Sequence, residues 1–188
     1  MNIIITGFMG SGKSTSIEFL SSFYDCYDLD KIIEEITNSS ISEIFNKKGE
    51  DFFRKLEQFV FGNLIAFEKI IIATGGGTLQ YYNEKENLKK NTKVIFLYSP
   101  IDKLWERTRK KERPLAKDFN LFEKLYFERL PTYFKYSDVI IDSNQNGWKE
   151  KIISYLKRIG FCKLKNSENT IKINKFLLEL KSKGMNYD

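Results

Sequence analysis

Short apolar runs alternate with amphipathic segments along most of the chain. Continuous apolar runs are typical of strands that are buried on both faces, and apolar residues at helical spacing indicate helices. The runs predict strands over residues 2–6, 26–28, 70–74, 94–98 and 138–142. The segments between and after them predict helices over residues 15–23, 31–37, 40–45, 50–67, 83–90, 101–110, 120–133 and 147–159. This alternation predicts an α/β fold in which helices cover both faces of a parallel sheet.

A glycine-rich stretch follows the first strand directly. Residues 7–15 read GFMGSGKST and fit the P-loop pattern G-x-x-x-x-G-K-[ST]. In such loops the backbone N–H groups cradle phosphates, the lysine reaches the β- and γ-phosphates, and the hydroxyl binds Mg²⁺. A glycine-rich turn with an incidental lysine is the alternative, but the preceding strand and the following helix favour a phosphate site.

Two more segments with unusual composition follow other strands. Asp28-Leu29-Asp30 follows the second strand, and Gly75-Gly76-Gly77 follows the third. Ligands of open parallel sheets bind beyond the carboxyl ends of the strands. Consecutive glycines also allow the backbone to approach a ligand closely. We therefore expect both segments to share one crevice with the P-loop.

Composition and charge narrow the possible chemistry. The chain contains no histidine, which excludes histidine triads and imidazole bases. Half of the net charge of +6 lies in residues 161–188, so the remaining chain is nearly balanced and we expect no nucleic-acid partner. No apolar run approaches the length that spans a membrane, and no leader-like segment precedes the first strand. We expect a cytoplasmic protein without a membrane partner.

Arginine is scarce in this chain, since only six of its 31 basic residues are arginines. A planar guanidinium binds carboxylates and phosphates through two parallel hydrogen bonds, so these few positions are candidates for anion binding. Arg54, Arg113 and Arg129 each also have a simpler interpretation, as a helical pair with Glu50, a solvated loop charge and a surface charge. Glu57 lies on the same helix face as Arg54 and is placed to hold it in position.

Six motifs follow one another along the chain: GFMGSGKST at 7–15, DLD at 28–30, GEDFFRKLE at 49–57, TGGG at 74–77, RPL at 113–115 and R-x-P-x-Y at 129–133. This ordered set resembles that of the shikimate kinase family. The resemblance covers residues 1–160 as one kinase domain and leaves 161–188 as a basic extension of unknown role. It implies a P-loop fold like that of nucleoside monophosphate kinases, with a five-stranded parallel sheet in the order 2-3-1-4-5.

The resemblance implies ATP-dependent phosphorylation of the 3-hydroxyl of shikimate, a step of aromatic amino acid biosynthesis. The residues implied to bind ATP are Gly10, Ser11, Gly12, Lys13, Ser14, Thr15, Arg107 and Arg113. Those implied to bind shikimate are Asp30, Arg54, Glu57, Gly75, Gly76, Gly77 and Arg129. Mg²⁺ would be held by Ser14 and Asp28. The implied catalytic residues are Lys13, Asp30 and Arg113, the last on a lid over about residues 109–119.

Some features leave alternatives open. Residues 143–146 lack the basic residue that some family members place near adenine, so half of the adenine site is unassigned. A kinase of related fold that acts on another small metabolite, such as a gluconate kinase, is the nearest alternative enzyme. A nucleotide-binding regulator or a nucleic-acid-associated module that uses the basic extension is the alternative from another class. We expect a monomer that binds shikimate and ATP.

Overall fold

A computed structural model describes residues 1–83, 88, 90–109, 118–162 and 167–182. Its five strands form one parallel sheet in the order β2-β3-β1-β4-β5. The strands are β1 (Asn2–Thr6), β2 (Cys26–Asp28), β3 (Ile71–Ala73), β4 (Thr92–Tyr98) and β5 (Val139–Asp142). The predicted layered fold and strand order are confirmed.

Helices connect successive strands and cover both faces of the sheet. They are α1 (Lys13–Leu20), α2 (Leu29–Thr37), α3 (Ile41–Ile65), α4 (Thr78–Tyr81), α5 (Ile101–Thr108), α6 (Phe119–Tyr136), α7 (Trp148–Arg158) and α8 (Ser167–Ser182). In the part of the chain that is described, no helix has the length and apolar character needed to cross a lipid bilayer.

Alternation along β1 shows how the two faces are filled. Ile4 joins an apolar cluster with α2, α3 and α8, whereas Ile3 and Ile5 join a second cluster with α1 and α7. All three side chains are fully buried, as expected for the central strand of a sheet covered on both faces. This core holds the carboxyl ends of the strands, and the loops that follow them, in fixed positions.

Several helix boundaries differ from the predicted ones. Helix α1 begins at Lys13, because Gly12 adopts a left-handed conformation and caps it. The short α4 was not predicted, since its four residues are too few to show a helical period. Helix α6 continues through Pro131 to Tyr136, because burial of Arg129 and Tyr133 on one face outweighs the backbone hydrogen bond lost at the proline.

The segment over residues 40–65 is the largest departure from separate predicted helices. Ser40 and Glu43 form a capping box, in which each side chain accepts from the other's backbone N–H. Gly49, with φ 86° and ψ 170°, breaks the helical conformation, and helix continues on both sides of it. The break expected between the predicted helices 40–45 and 50–67 is thus a kink within α3. Most of the predicted helix 83–90 and of the lid 109–119 lies outside the described residues.

Candidate active site

The P-loop wraps closely around the N-terminus of α1. Three of its positions, Gly7, Gly10 and Gly12, have positive φ values that L side chains rarely adopt. A Cβ on Gly7 would lie 2.6 Å from the carbonyl oxygen of Leu97, so the loop also packs directly against β4. The result is a turn whose backbone N–H groups can face a phosphate chain.

Lys13 extends back over this turn. Its Nζ donates hydrogen bonds to the carbonyl oxygens of Gly7 (2.8 Å) and Phe8 (3.1 Å). Ser11 was implied to bind ATP, and its Oγ is fully buried against Gly7 with no hydrogen-bond partner among the described residues. Ser11 can therefore contribute to phosphate binding through its backbone only.

Asp28 and Asp30 lie where β2 runs into α2. Asp28 caps the helix and accepts hydrogen bonds from the backbone N–H groups of Asp30 (3.1 Å) and Lys31 (3.5 Å). This contact fixes the first turn of α2, so that Asp30 faces the same crevice as the P-loop. The predicted clustering at the carboxyl edge of the sheet is confirmed.

Arg54 is the centre of a buried ion-pair network on α3. It donates to Glu57 Oε2 through Nη1 (2.8 Å) and to Glu50 Oε1 through Nη2 (2.9 Å) and Nε (3.1 Å). Glu57 is fully buried and also accepts from the Thr78 hydroxyl (2.6 Å). Burial works to lower the pKa of Arg54, but the two carboxylates outweigh it and raise that pKa above its usual value. The helical pair with Glu50 and the predicted brace from Glu57 are both present.

Aromatic rings enclose the same guanidinium. Its Cζ lies 4.6 Å from the ring centroid of Tyr81, 5.1 Å from that of Phe53 and 5.9 Å from that of Phe45. These contacts restrict the guanidinium plane and reduce its access to water. An anion that reached Arg54 would therefore meet a charge that is already oriented.

The triple glycine lets the backbone pass between charged side chains. A Cβ on Gly75 would lie 2.5 Å from Glu57 Oε1 and 2.9 Å from Asp30 Oδ1, and one on Gly77 would lie 2.8 Å from Arg54 Nη1. Any side chain at these two positions would thus collide with the network. Close approach therefore accounts for Gly75 and Gly77, and none of the three glycines has a positive φ.

Arg129 reaches the same place from α6. It is buried, and its Nη1 lies 3.4 Å from where a Cβ of Gly76 would be. Tyr133, one turn further along α6, donates a short hydrogen bond to the carbonyl oxygen of Gly76. Burial raises the pKa of this tyrosine well above its usual value, although Arg129 opposes the shift. The hydroxyl therefore stays protonated and can hold the Gly76 carbonyl.

Two cavities meet at this edge of the sheet. One, of about 410 Å³, is lined by Arg54, Arg129 and residues 75–77. The other, of about 430 Å³, is lined by the P-loop. The residues that line both are Ser14, Asp28 and Asp30. A phosphate chain on the P-loop would therefore end beside a molecule held between the two arginines.

The far end of the P-loop cavity contains Arg107, which the resemblance implied, and Trp148, which the sequence did not predict. Arg107 donates to the carbonyl oxygen of Gly10 (3.3 Å) and to Asn144 Oδ1 (3.0 Å). Trp148, the first residue of α7, lines the same cavity and lies 3.2 Å from where a Cβ of Gly12 would be. A lone tryptophan after a glycine gives no motif, so only the fold could place it here.

The residues at the junction suit Mg²⁺. A hydroxyl and two carboxylates, those of Ser14, Asp28 and Asp30, line both cavities. Oxygen donors of this kind are those that Mg²⁺ prefers, and it commonly uses one or two carboxylates together with phosphate oxygens. The donor set therefore fits the predicted metal. Arg113, the predicted lid arginine, lies outside the described residues.

The family model that matches this chain and two of its curated relatives carry the same family name. The shikimate kinase family model matches residues 9–159. Shikimate kinase of Lactococcus lactis subsp. lactis is 41% identical over 145 residues, which are 76% of this chain and 88% of that protein. Shikimate kinase of Clostridium botulinum (strain ATCC 19397 / Type A) is 37% identical over 163 residues, which are 83% of this chain and 94% of that one.

A solved structure shows the same arrangement of elements. Shikimate kinase from Acinetobacter baumannii in complex with shikimate aligns with a TM-score of 0.75 and 32% identity. The alignment covers 84% of this chain and 92% of that one. Family model, relatives and structure agree with the ordered motifs, and this chain belongs to the shikimate kinase family.

Proposed function

We propose that this protein transfers the γ-phosphoryl group of ATP to the 3-hydroxyl of shikimate. The observation that carries the proposal is the pair of adjoining cavities, one lined by a P-loop and the other by two buried arginines. Shikimate carries one carboxylate and several hydroxyls, and the second cavity offers guanidinium groups and a carboxylate to match them. Family membership supports the same substrate.

The proposed acceptor site divides its work between two kinds of group. Arg54 and Arg129 bind the carboxylate of shikimate, and the backbone of residues 75–77 passes between them. Glu57 holds Arg54 in place and does not touch the substrate in this proposal. Asp30 accepts hydrogen bonds from ring hydroxyls and turns the reacting oxygen towards the P-loop cavity.

The proposed reaction is an in-line transfer. The shikimate oxygen forms a bond to the γ-phosphorus, the bond from that phosphorus to the β–γ bridging oxygen breaks, and the hydroxyl proton passes to Asp30. Because the transition state is loose, positioning and charge neutralisation provide most of the rate enhancement. Lys13 would neutralise phosphate oxygens, and the backbone of residues 10–15 would hold the chain of phosphates.

Ser14 and Asp28 are the proposed Mg²⁺ holders, Ser14 through its hydroxyl and Asp28 through the metal's hydration shell. When bound, the ion would supply positive charge to the β- and γ-phosphate oxygens. Arg113 is proposed to bring a further positive charge to the transferring group from the lid, which would also exclude water. Its role stays a prediction.

Other partners and the location also stay predictions. We expect a cytoplasmic monomer without a nucleic-acid partner. The family match favours shikimate over gluconate as the acceptor. A strongly salt-dependent affinity for DNA that disappeared on deletion of residues 161–188 would instead favour the nucleic-acid alternative.

A coupled assay of ADP release over several acceptors tests the proposed substrate. We expect turnover with shikimate and none above background with gluconate or nucleoside monophosphates. Equal or faster turnover with gluconate would refute the assignment. Analysis of the product would establish which hydroxyl is phosphorylated.

The carboxylate-binding role of the two arginines is tested by Arg54→Lys and Arg129→Lys. Each change keeps the charge but removes the paired N–H donors, and a charge-assisted hydrogen bond contributes about 1.5–3 kcal/mol, so we expect KM for shikimate to rise roughly 10- to 100-fold. KM for ATP should stay within about twofold, because the arginines lie outside the P-loop cavity. Arg158→Lys, on an exposed turn of α7, is the matched control. Unchanged KM for shikimate in both variants would refute the proposal that the two arginines bind the shikimate carboxylate.

A further inference from the structure

Helix α8 lies beyond the segment that the family model matches, which ends at residue 159. Within the described residues, the helix it packs against most closely is α2, whose first turn carries Asp30 of the acceptor site. The extension is therefore not a detached basic tail over residues 167–182.

The contact with α2 is apolar and buried. Ile173 is fully buried and Leu180 nearly so, in the cluster that holds Ile32, Ile33 and Ile36 of α2. Phe176 packs on Phe67, which follows α3, with ring centroids 6.1 Å apart. Helix α8 thus packs, together with α3, against the buried face of α2.

Polar contacts tie the first turn of α8 to the segments that enter β2 and β3. The Thr170 hydroxyl lies 3.2 Å from Oδ1 of Asp25, a buried carboxylate directly before β2. Asn169 donates through Nδ2 to the carbonyl oxygen of Glu68 (2.7 Å), in the turn before β3. These contacts hold the starting points of two adjacent strands.

The segment held in this way also packs against α3 and α1, but its own two elements are short. Strand β2 has three residues and lies at the edge of the sheet, where it pairs with β3 on one side. Helix α2 has nine residues, and a helix that short is marginal unless tertiary packing stabilises it. Yet Asp28 ends the strand, and Asp30 stands in the first turn of the helix.

We propose that α8 is a positioning element for the acceptor site, which holds α2 against the sheet and so fixes Asp30 in its productive orientation. The proposal rests on the proposed function for what Asp30 does, but its structural content is independent of the reaction. It assigns residues 167–182 an intramolecular role. The simpler alternative is that α8 adds stability to the whole protein and leaves acceptor binding untouched.

Two isoleucines of α8 offer a matched pair for the test. Ile173 is fully buried, whereas Ile171 is 67% exposed, so Ile173→Val and Ile171→Val remove the same methylene from opposite environments. Thr170→Val removes the hydroxyl that contacts Asp25 while keeping the side-chain shape. Each substitution is made in the full chain, and assays are run well below the thermal midpoint of each variant.

We expect Ile173→Val and Thr170→Val to raise KM for shikimate at least threefold and to leave KM for ATP unchanged, with Ile171→Val like the unsubstituted protein. Amide hydrogen exchange in the first turn of α2 should also be at least threefold faster in the first two variants. A lower thermal midpoint with both KM values and this exchange unchanged would overturn the proposal. Amide hydrogen exchange measures how firmly α2 is held and does not require enzymatic activity. An unsubstituted protein without activity would therefore refute the proposed function but not the proposed role of α8.

Discussion

Trp148 illustrates how one side chain can complete a binding site. Its indole lies beside the P-loop at Gly12, and Arg107, which lines the same cavity, donates to Gly10 and Asn144. An indole and a guanidinium are both good stacking partners for a purine ring. We therefore expect adenine to lie against Trp148, which would fill the part of the nucleotide site that the sequence left unassigned.

Trp148→Ala should weaken ADP binding roughly 5- to 100-fold, because stacking on an aromatic side chain contributes about 1–3 kcal/mol per base. Binding of tripolyphosphate, which has no base, should be unchanged. Isothermal titration measures both. Trp148→Phe should retain part of the affinity, and Trp105→Phe, a substitution within the aromatic cluster around Phe122, should retain all of it. Equal loss of ADP and tripolyphosphate affinity would show that Trp148 only supports the loop.

Tyr126 gives the molecule a pH-dependent stability. Burial, and then the neighbouring Tyr98, raise its pKa from 10.0 to about 12. Between these two values the unfolded chain loses the phenol proton while the folded protein keeps it. The contribution is thus complete below pH 10 and is lost as the pH rises towards 12.

The free energy of unfolding should therefore fall above pH 10, with Tyr126 responsible for a slope of up to about 1.4 kcal/mol per pH unit. Urea unfolding at a series of pH values measures the slope. Tyr126→Phe should make it shallower by the equivalent of one proton. The same slope in parent and variant would contradict the assignment.

Site contacts between residues that are close in the sequence could be predicted, whereas contacts between distant residues could not. Arg54 and Glu57 lie three apart on one helix, so a local spacing rule predicts their contact. Tyr133 and Gly76 are 57 residues apart, and their hydrogen bond depends on how α6 crosses the sheet. Trp148 is of the second kind too. Local periodicity carries no information on such contacts.

Among the elements, α3 depends most on one residue. The φ and ψ values of Gly49 fall in a region that is nearly exclusive to glycine, although a Cβ there would meet nothing within 4 Å. The kink is therefore maintained by backbone conformation and not by crowding. It lets Phe45, before the kink, pack on Phe53, after it, with centroids 4.8 Å apart.

Gly49→Ala should lower the free energy of unfolding by about 1–3 kcal/mol, the usual cost of such a conformation in an L residue. Gly62 provides the control, because it lies in the regular part of α3 and a Cβ there also meets nothing within 4 Å. Gly62→Ala should raise stability by about 0.5–1 kcal/mol. Denaturant unfolding separates the two. Equal effects at both positions would mean that the kink carries no strain.

The elements that sequence reasoning placed well are those with a strong internal pattern. The five strands were found because buried parallel strands read as continuous apolar runs. The predicted end of α6 at Tyr133 is three residues early, since Pro131 argues locally for an end close to it. Tertiary packing decided the boundary.

At the scale of the whole molecule, the family match covers residues 9–159, and α8 lies beyond it. The alignments with the Lactococcus lactis and Clostridium botulinum relatives cover 76–83% of this chain but 88–94% of those proteins. The sheet and its flanking helices should therefore fold without the extension. The resemblance gave no role for residues 161–188, and a basic composition alone could not show that Ile173 and Leu180 are buried.

A chain that ends at Cys162 should still unfold in one cooperative transition, but with a midpoint lower by about 5 °C or more, since each kcal/mol corresponds to about 2–4 °C in a protein of this size. Calorimetry measures both properties. Ile171→Ser combined with Leu178→Ser, at two positions that are each 67% exposed, is the control and should leave the midpoint unchanged. An unchanged midpoint after truncation would show that the buried contacts of α8 add no net stability.

The junction of the two cavities has a consequence for inhibition. Because Ser14, Asp28 and Asp30 line both, a single compound could carry a carboxylate to Arg54 and Arg129 and a polyphosphate to the P-loop without a gap between them. Joining two ligands makes the second binding event intramolecular, so its affinity can exceed that of either part by orders of magnitude. Such a compound would be competitive against both substrates at once.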